Sequence, residues 1–97
     1  MRSIVLTPRA RDDVLAISDY TLTRWGDAQM GRYVDQLHKR FEQLARLPRL
    51  GKLRPDLGRH YRSAPQGSHV IFYRVTTTHL VIVRILHGRM SAERHLS

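Results

Sequence analysis

The residues able to do chemistry in this chain are arginines and histidines, gathered in its second half. Arg59, Arg62, Arg74, Arg84 and Arg89 all fall there, and a planar guanidinium offers paired donors that suit phosphate or carboxylate oxygens. Arg74 and Arg84 each interrupt an apolar run, Val70-Ile71-Phe72-Tyr73-Arg74-Val75 and Val81-Ile82-Val83-Arg84-Ile85-Leu86. A charge on an apolar face is costly unless an acceptor meets it. That acceptor is either a bound target or an internal acid, and Asp56 and Glu93 are the only acids of this half. His87 closes the second run, and an imidazole is the side-chain type most often used as a general acid or base. No second catalytic group is evident beside it, and a surface or capping role is the plainer expectation.

Other chemistries find no support in residue type or spacing. Without cysteine there are no disulfides, thiolate metal sites or thiol nucleophiles. The histidines at 60, 69, 79, 87 and 95 are scattered with no acidic ligand motif between them, so neither a metal nor a cofactor is expected. The glycines are isolated and form no phosphate-cradling loop.

The field around these residues is strongly positive. The 97 residues carry 17 Lys and Arg against 8 Asp and Glu, a formal charge of +9. Residues 1–48 contribute +2 and residues 49–97 contribute +7. Such a balance favours encounter with an anionic partner: nucleic acid, membrane surface or an acidic protein. No stretch has the apolar length of a signal peptide or a spanning helix, so a cytoplasmic protein with no membrane role is expected. The length fits one domain, residues 1–97.

The elements that must position these groups follow from pattern. Ser3–Thr7 reads as a strand stopped by Pro8, and Thr7-Pro8 as an N-cap with proline at the first helical position. Ala10, Val14, Ile17 and Leu22 recur at helical spacing to Trp25. After Gly26, with Asp27 as the expected N-cap, the stripe Met30, Tyr33, Val34, Leu37, Phe41, Leu44 predicts a second helix to about Leu47. So short a connection makes the two an antiparallel αα-hairpin. Its charge is nearly balanced, a poor fit to a DNA-recognition helix.

Beyond Gly58 the period becomes that of strands: His60–Ser63, a turn at Pro65–Ser68, then His69–Val75 and Leu80–His87, and a short helix over Ser91–Leu96. The class is α+β. Simple alternation puts Leu80, Ile82 and Leu86 with Arg84 on one face of the last strand, and Val81, Val83, Ile85 and His87 on the other. Both faces are apolar while the hairpin covers one; the segment Ser91–Leu96 can cover a little of the second, a twisted sheet tolerates some exposed apolar area, and a partner is the larger cover expected there.

The order strand, helical hairpin, β-meander and short C-terminal helix resembles the ParE branch of the RelE/ParE toxin superfamily. The resemblance rests on Leu6-Thr7-Pro8-Arg9-Ala10 with Asp13, Tyr20 and Trp25-Gly26, and Tyr33, Leu37, Phe41, Leu44 and Pro48. Its more specific blocks are Gly67-Ser68-His69-Val70-Ile71-Phe72-Tyr73-Arg74 and Val83-Arg84-Ile85-Leu86-His87-Gly88-Arg89-Met90. It implies the toxin half of a type II toxin–antitoxin pair, held by a ParD-type antitoxin whose flexible C-terminal segment wraps it. ParE toxins are associated with inhibition of DNA gyrase. The RelE branch cleaves mRNA on the ribosome, often with a tyrosine near the C-terminus, and residues 88–97 contain none. A non-nuclease gyrase inhibitor is therefore expected, with no need for direct nucleic-acid binding. The alternatives are an mRNA interferase and a non-toxic module that keeps only antitoxin affinity. Arg62, Arg84, His87 and Arg89 are the expected target-facing residues, and Arg59 and Arg74 the antitoxin-facing ones.

Overall fold

The computed structural model describes residues 1–58 and 60–96. In chain order they form β1 (Ser3–Leu6), α1 (Pro8–Trp25), α2 (Asp27–Arg46), a 3₁₀ turn (Pro48–Leu50), β2 (Lys52–Leu53), a second 3₁₀ turn (Pro55–Leu57), β3 (Arg62–Gln66), β4 (His69–Val75), β5 (His79–His87) and α3 (Ala92–Leu96). The five strands lie in one sheet in the order β1-β5-β4-β3-β2. β1 runs parallel to β5 and the other pairings are antiparallel.

The cap at Thr7 joins strand to helix. Its Oγ1 accepts from Ala10 N at 3.1 Å and donates to the Val83 carbonyl at 2.8 Å, so one hydroxyl starts α1 and ties it to β5. Gly26, at φ 90°, turns the chain into α2 with no intervening residue. Asp27 is thus the first residue of α2 and not its N-cap, and it lies near the positive end of the helix dipole. Ala10 and Ile17 of α1 and Leu37, Phe41, Leu44 and Ala45 of α2 pack on Ala64, Ile71, Tyr73, Leu80, Ile82 and Ile85 of the sheet.

Three departures from simple strand reading have physical causes. Pro65 lies inside β3, paired with Val70. β2 reaches only Arg62 and Ser63, so beyond them β3 is an edge where a missing amide costs nothing. The two-residue β2 has no pattern of its own. On β5, Phe72 pairs with Arg84 but Tyr73 pairs with Ile82, leaving Val83 out of the ladder as a bulge. A bulge exchanges the faces of everything beyond it. Ile85 accordingly joins Leu80 and Ile82 in the core, and Leu86 moves to the opposite face, correcting the alternation expected above.

The second face is partly covered by the chain itself. Phe72 and Leu86 there are 4% and 2% exposed. The Arg54 guanidinium lies 5.7 Å from the Phe72 ring centre, and α3 packs against β5 and the Pro55–Leu57 turn. The short C-terminal helix thus supplies the small cover expected of it, and Arg54 adds a cover that the sequence reading had not included.

Candidate functional site

Arg84 has an internal partner from the far end of the sequence. Its Nε and Nη2 donate to the two carboxylate oxygens of Asp13 on α1 at 2.8 and 2.9 Å, and both side chains are 14% exposed. β1 ends opposite Ile82, so the amide of Ile85 has no neighbouring strand and donates instead to Asp13 Oδ2 at 2.9 Å. One carboxylate thus closes an open sheet edge and holds a guanidinium. The hydrogen bond to Asp13 raises the Arg84 pKa despite burial, and Nη1 also donates to the His95 carbonyl of α3 at 3.2 Å. Arg84 is a clamp joining α1, β5 and α3.

His87 stands beside this clamp, exposed, at the end of β5. It is in register with His69, and the rings meet edge to face with centres 5.8 Å apart. His69 Nδ1 is 2.7 Å from the Tyr33 hydroxyl, which also reaches the Gln66 carbonyl at 2.8 Å. The carbonyl can only accept, so both contacts are satisfied when Tyr33 donates to Gln66 and His69 Nδ1 carries a proton. Burial first, and then the charge of His87, lower the His69 pKa below its usual value. The two histidines line a cleft of about 500 Å³ with Asp13, Tyr20, Trp25 and Met90. Arg89, between the lining residues His87 and Met90 in sequence, donates its backbone amide to His87 Nδ1 at 3.2 Å and is exposed.

A second concavity, of about 550 Å³, lies at the other end of the sheet. It is lined by Leu47, Pro48, Leu50 and Val75 together with Arg2, Arg46, Arg49 and Arg62. The turn that follows α2 is held by Tyr73, whose side chain is wholly buried. The Tyr73 hydroxyl donates to the Pro48 carbonyl at 2.6 Å and accepts from the Gly51 amide at 2.8 Å. Arg62 Nη1 donates to the Gly51 carbonyl at 2.9 Å.

The expected target-facing residues therefore do not converge. His87 lines the histidine cleft with Arg89 two residues beyond it, Arg84 is bound to Asp13, which also lines that cleft, and Arg62 belongs to the arginine trough. Arg62 pairs with Tyr73 and His87 with His69, which separates them by four residues along β4, roughly 13 Å, and by two strands laterally. Arg74 is exposed with its guanidinium 5.7 Å from the Tyr61 ring centre, away from both concavities. Arg59 lies outside the described residues. Sequence reasoning missed Asp13 as the acceptor for Arg84, Tyr33 as the partner of His69, and the contributions of Arg2, Arg46 and Arg49. Only for Asp13 was there a signal, a carboxylate in the first helical turns of a chain with a buried arginine. Among the described residues no group of three or more His, Asp or Glu is arranged to hold a metal ion.

The architecture, a helical hairpin packed on one face of a five-stranded sheet with a short C-terminal helix, is shared with solved toxin structures. A solved structure described as the chromosomal ParDE TA system from P. aeruginosa has the same fold, at a TM-score of 0.76 and 22% identity, covering 90% of this chain and 96% of that one. Residues 4–92 match the family described as ParE toxin of type II toxin-antitoxin system, parDE. Toxin ParE1 of Caulobacter vibrioides is 38% identical over 96 residues, 99% of each chain. Toxin ParE1 of Mycobacterium tuberculosis is 37% identical over 93 residues, 95% of each chain. The chain belongs to the ParE toxin family, and it is the toxin component of a type II toxin–antitoxin system.

Proposed function

We propose that this toxin is neutralised by a ParD-type antitoxin and, when released, inhibits DNA gyrase in the cytoplasm by binding to it, thereby blocking replication. The observation that carries a binding mechanism over RNA cleavage is the dispersal of the candidate groups. Attack by a 2′-hydroxyl needs a base, an acid and a cation around one phosphate. Here Arg84 is engaged by Asp13, and Arg62 and His87 stand at different ends of the sheet. Support also comes from the absence of tyrosine in residues 88–97 and from relatives that bear the ParE1 name. The residues we assign to target contact are His87 and Arg89, both exposed at the end of β5 and just beyond it, with Arg84 acting through them by fixing the end of β5. Arg62 and the pair Arg59 and Arg74 are assigned to the antitoxin side.

The test is induction of the toxin without antitoxin, following DNA synthesis, plasmid supercoiling, translation and transcript integrity, together with a supercoiling assay on purified gyrase. Loss of supercoiling and DNA synthesis with intact transcripts is expected, and His87→Ala/Arg89→Ala should weaken it. An early halt of translation with cleaved transcripts and normal supercoiling would overturn the reading in favour of an interferase. Unchanged growth on verified expression would leave only an antitoxin-binding module.

A further inference from the structure

The two imidazoles of the histidine cleft are held with unlike free ends. His69 Nδ1 carries a proton for the Tyr33 hydroxyl, so in the neutral ring Nε2 is a bare acceptor. His87 is fixed the other way round. Its Nδ1 accepts the Arg89 amide at 3.2 Å in the turn that follows β5, so the neutral ring carries its proton on Nε2 and donates from there. Burial, and then the neighbouring His87, disfavour protonation of His69 and so preserve its acceptor. The two residues are opposite each other on β4 and β5 with ring centres 5.8 Å apart, close enough for one small polar group to meet both.

The surroundings of this pair are apolar and uncharged. Ile17 and Ile85 line the cleft from the core, while Tyr20, Trp25 and Met90 line it and stay 65%, 65% and 42% exposed. Exposed aromatic side chains round a cleft are the kind of anchor that a protein partner covers. Asp13 has both oxygens committed to Arg84 and the Ile85 amide, and the described lining residues include no Lys or Arg, in a chain of +9. A phosphate-bearing ligand therefore finds no cation there. A carboxylate would set an oxygen against the His69 lone pair, and the N–H and C=O of a trans peptide point to opposite sides. A primary carboxamide shows an oxygen and an N–H on one edge, with an apolar stem behind them.

We propose that the histidine cleft receives an Asn or Gln side chain from a loop of the protein target, its N–H donating to His69 Nε2, its oxygen accepting from His87 Nε2–H, and its apolar neighbours lying on Tyr20, Trp25 and Met90. This rests on the reading above that the toxin acts by binding a protein, and it adds the chemistry by which the site selects that protein, with His69 as a specificity-determining residue and Tyr33 as the group that positions it.

Long-range ¹H–¹⁵N spectra of the imidazoles test the premise and should show Nδ1–H for His69 and Nε2–H for His87. The binding probes are the peptides Leu-Gln-Leu, Leu-Glu-Leu and Leu-Met-Leu, capped as N-acetyl and N-methylamide so that no cap carries a primary amide, titrated into ¹⁵N-labelled toxin at about pH 7.5. The Gln peptide should bind roughly tenfold or more tightly than the other two and shift both Nε2 resonances. Tyr33→Phe and His69→Phe should erase that preference, as should His87→Phe at an exposed position where folding is not at stake, while Leu15→Ala, exposed on α1 outside the cleft, should keep it. On purified gyrase His69→Phe should inhibit about tenfold more weakly than wild type. The same tautomer on both rings, or no difference among the three peptides, failure of all to bind included, would overturn the inference. Unchanged inhibition of gyrase by His69→Phe and by His87→Phe would overturn the cleft's part in target contact while leaving gyrase as the target. A Gln preference in a wild-type toxin that does not inhibit gyrase would instead refute the gyrase reading and keep the carboxamide site.

Discussion

Replacing Arg84 by alanine separates a structural clamp from a target contact. The substitution removes two hydrogen bonds to Asp13 and one to the His95 carbonyl. It leaves the Asp13 carboxylate, whose side chain is 14% exposed, with only the Ile85 amide. Removing one member of a largely buried, doubly hydrogen-bonded pair costs about 3 kcal/mol, chiefly because the remaining charge is uncompensated. For a domain of this size each kcal/mol lowers the melting temperature by about 4–8 °C, so Tm should fall by roughly 12–24 °C. Differential scanning calorimetry or thermal circular dichroism reads this directly. Arg84→Lys should recover only part of the loss, because an ammonium cannot engage both carboxylate oxygens as a fork does. A cycle with Asp13→Asn, which keeps an oxygen for the Ile85 amide, should give a coupling of about 1–3 kcal/mol between the two side chains. A Tm drop below about 3 °C, well short of what losing such a pair should produce, would refute the clamp. Toxicity lost at unchanged Tm would then make Arg84 a direct target contact.

Three further outcomes are expected. Tyr73→Phe deletes the hydroxyl that serves the Pro48 carbonyl and the Gly51 amide, and should cost about 1–3 kcal/mol by urea denaturation. Gly51 has an ordinary extended backbone, φ −72° and ψ 150°, yet a Cβ there would collide with the Tyr73 ring, so Gly51→Ala should destabilise by about 1–3 kcal/mol for reasons of space alone. His69 titrates lower in the folded chain than its usual value near 6.5, so below that pH the unfolded chain binds more protons. Its contribution to stability is full above about pH 6.5 and lost as pH falls through and below that value. The melting temperature should therefore fall between pH 8 and pH 5.5, and His69→Gln should reduce that fall.

The helical hairpin was legible in the sequence because each of its ends has a local cause. Thr7-Pro8 opens α1, Gly26 turns the chain, and the stripe from Met30 to Leu44 has helical period. The strands of the meander were legible from their β-branched runs, and the family from four motif blocks in order. Their faces were not. A single bulged residue, Val83, reverses the alternation beyond it, and a bulge depends on how two strands match, which neither strand records alone. Nor was β2 legible, since two residues carry no period.

The candidate sites divide the same way. Sequence by itself determined that positive charge gathers in the second half, that Arg84 needs an acceptor, and that no thiol chemistry is available. It left open which acid answers Arg84 and whether the arginines form one site. Tertiary structure answered both. The acceptor is Asp13, 71 residues away, brought to β5 because β1 stops at Leu6 and α1 turns across the exposed sheet edge. The arginines part because β4 and β5 carry His69 and His87 to one end of the sheet and β3 carries Arg62 to the other, where the end of α2 and the turn after it deliver Arg46 and Arg49. Residue type fixes what a side chain can bind, whereas the distance between two side chains is a property of strand register and chain reversal, which depend on contacts far apart in sequence.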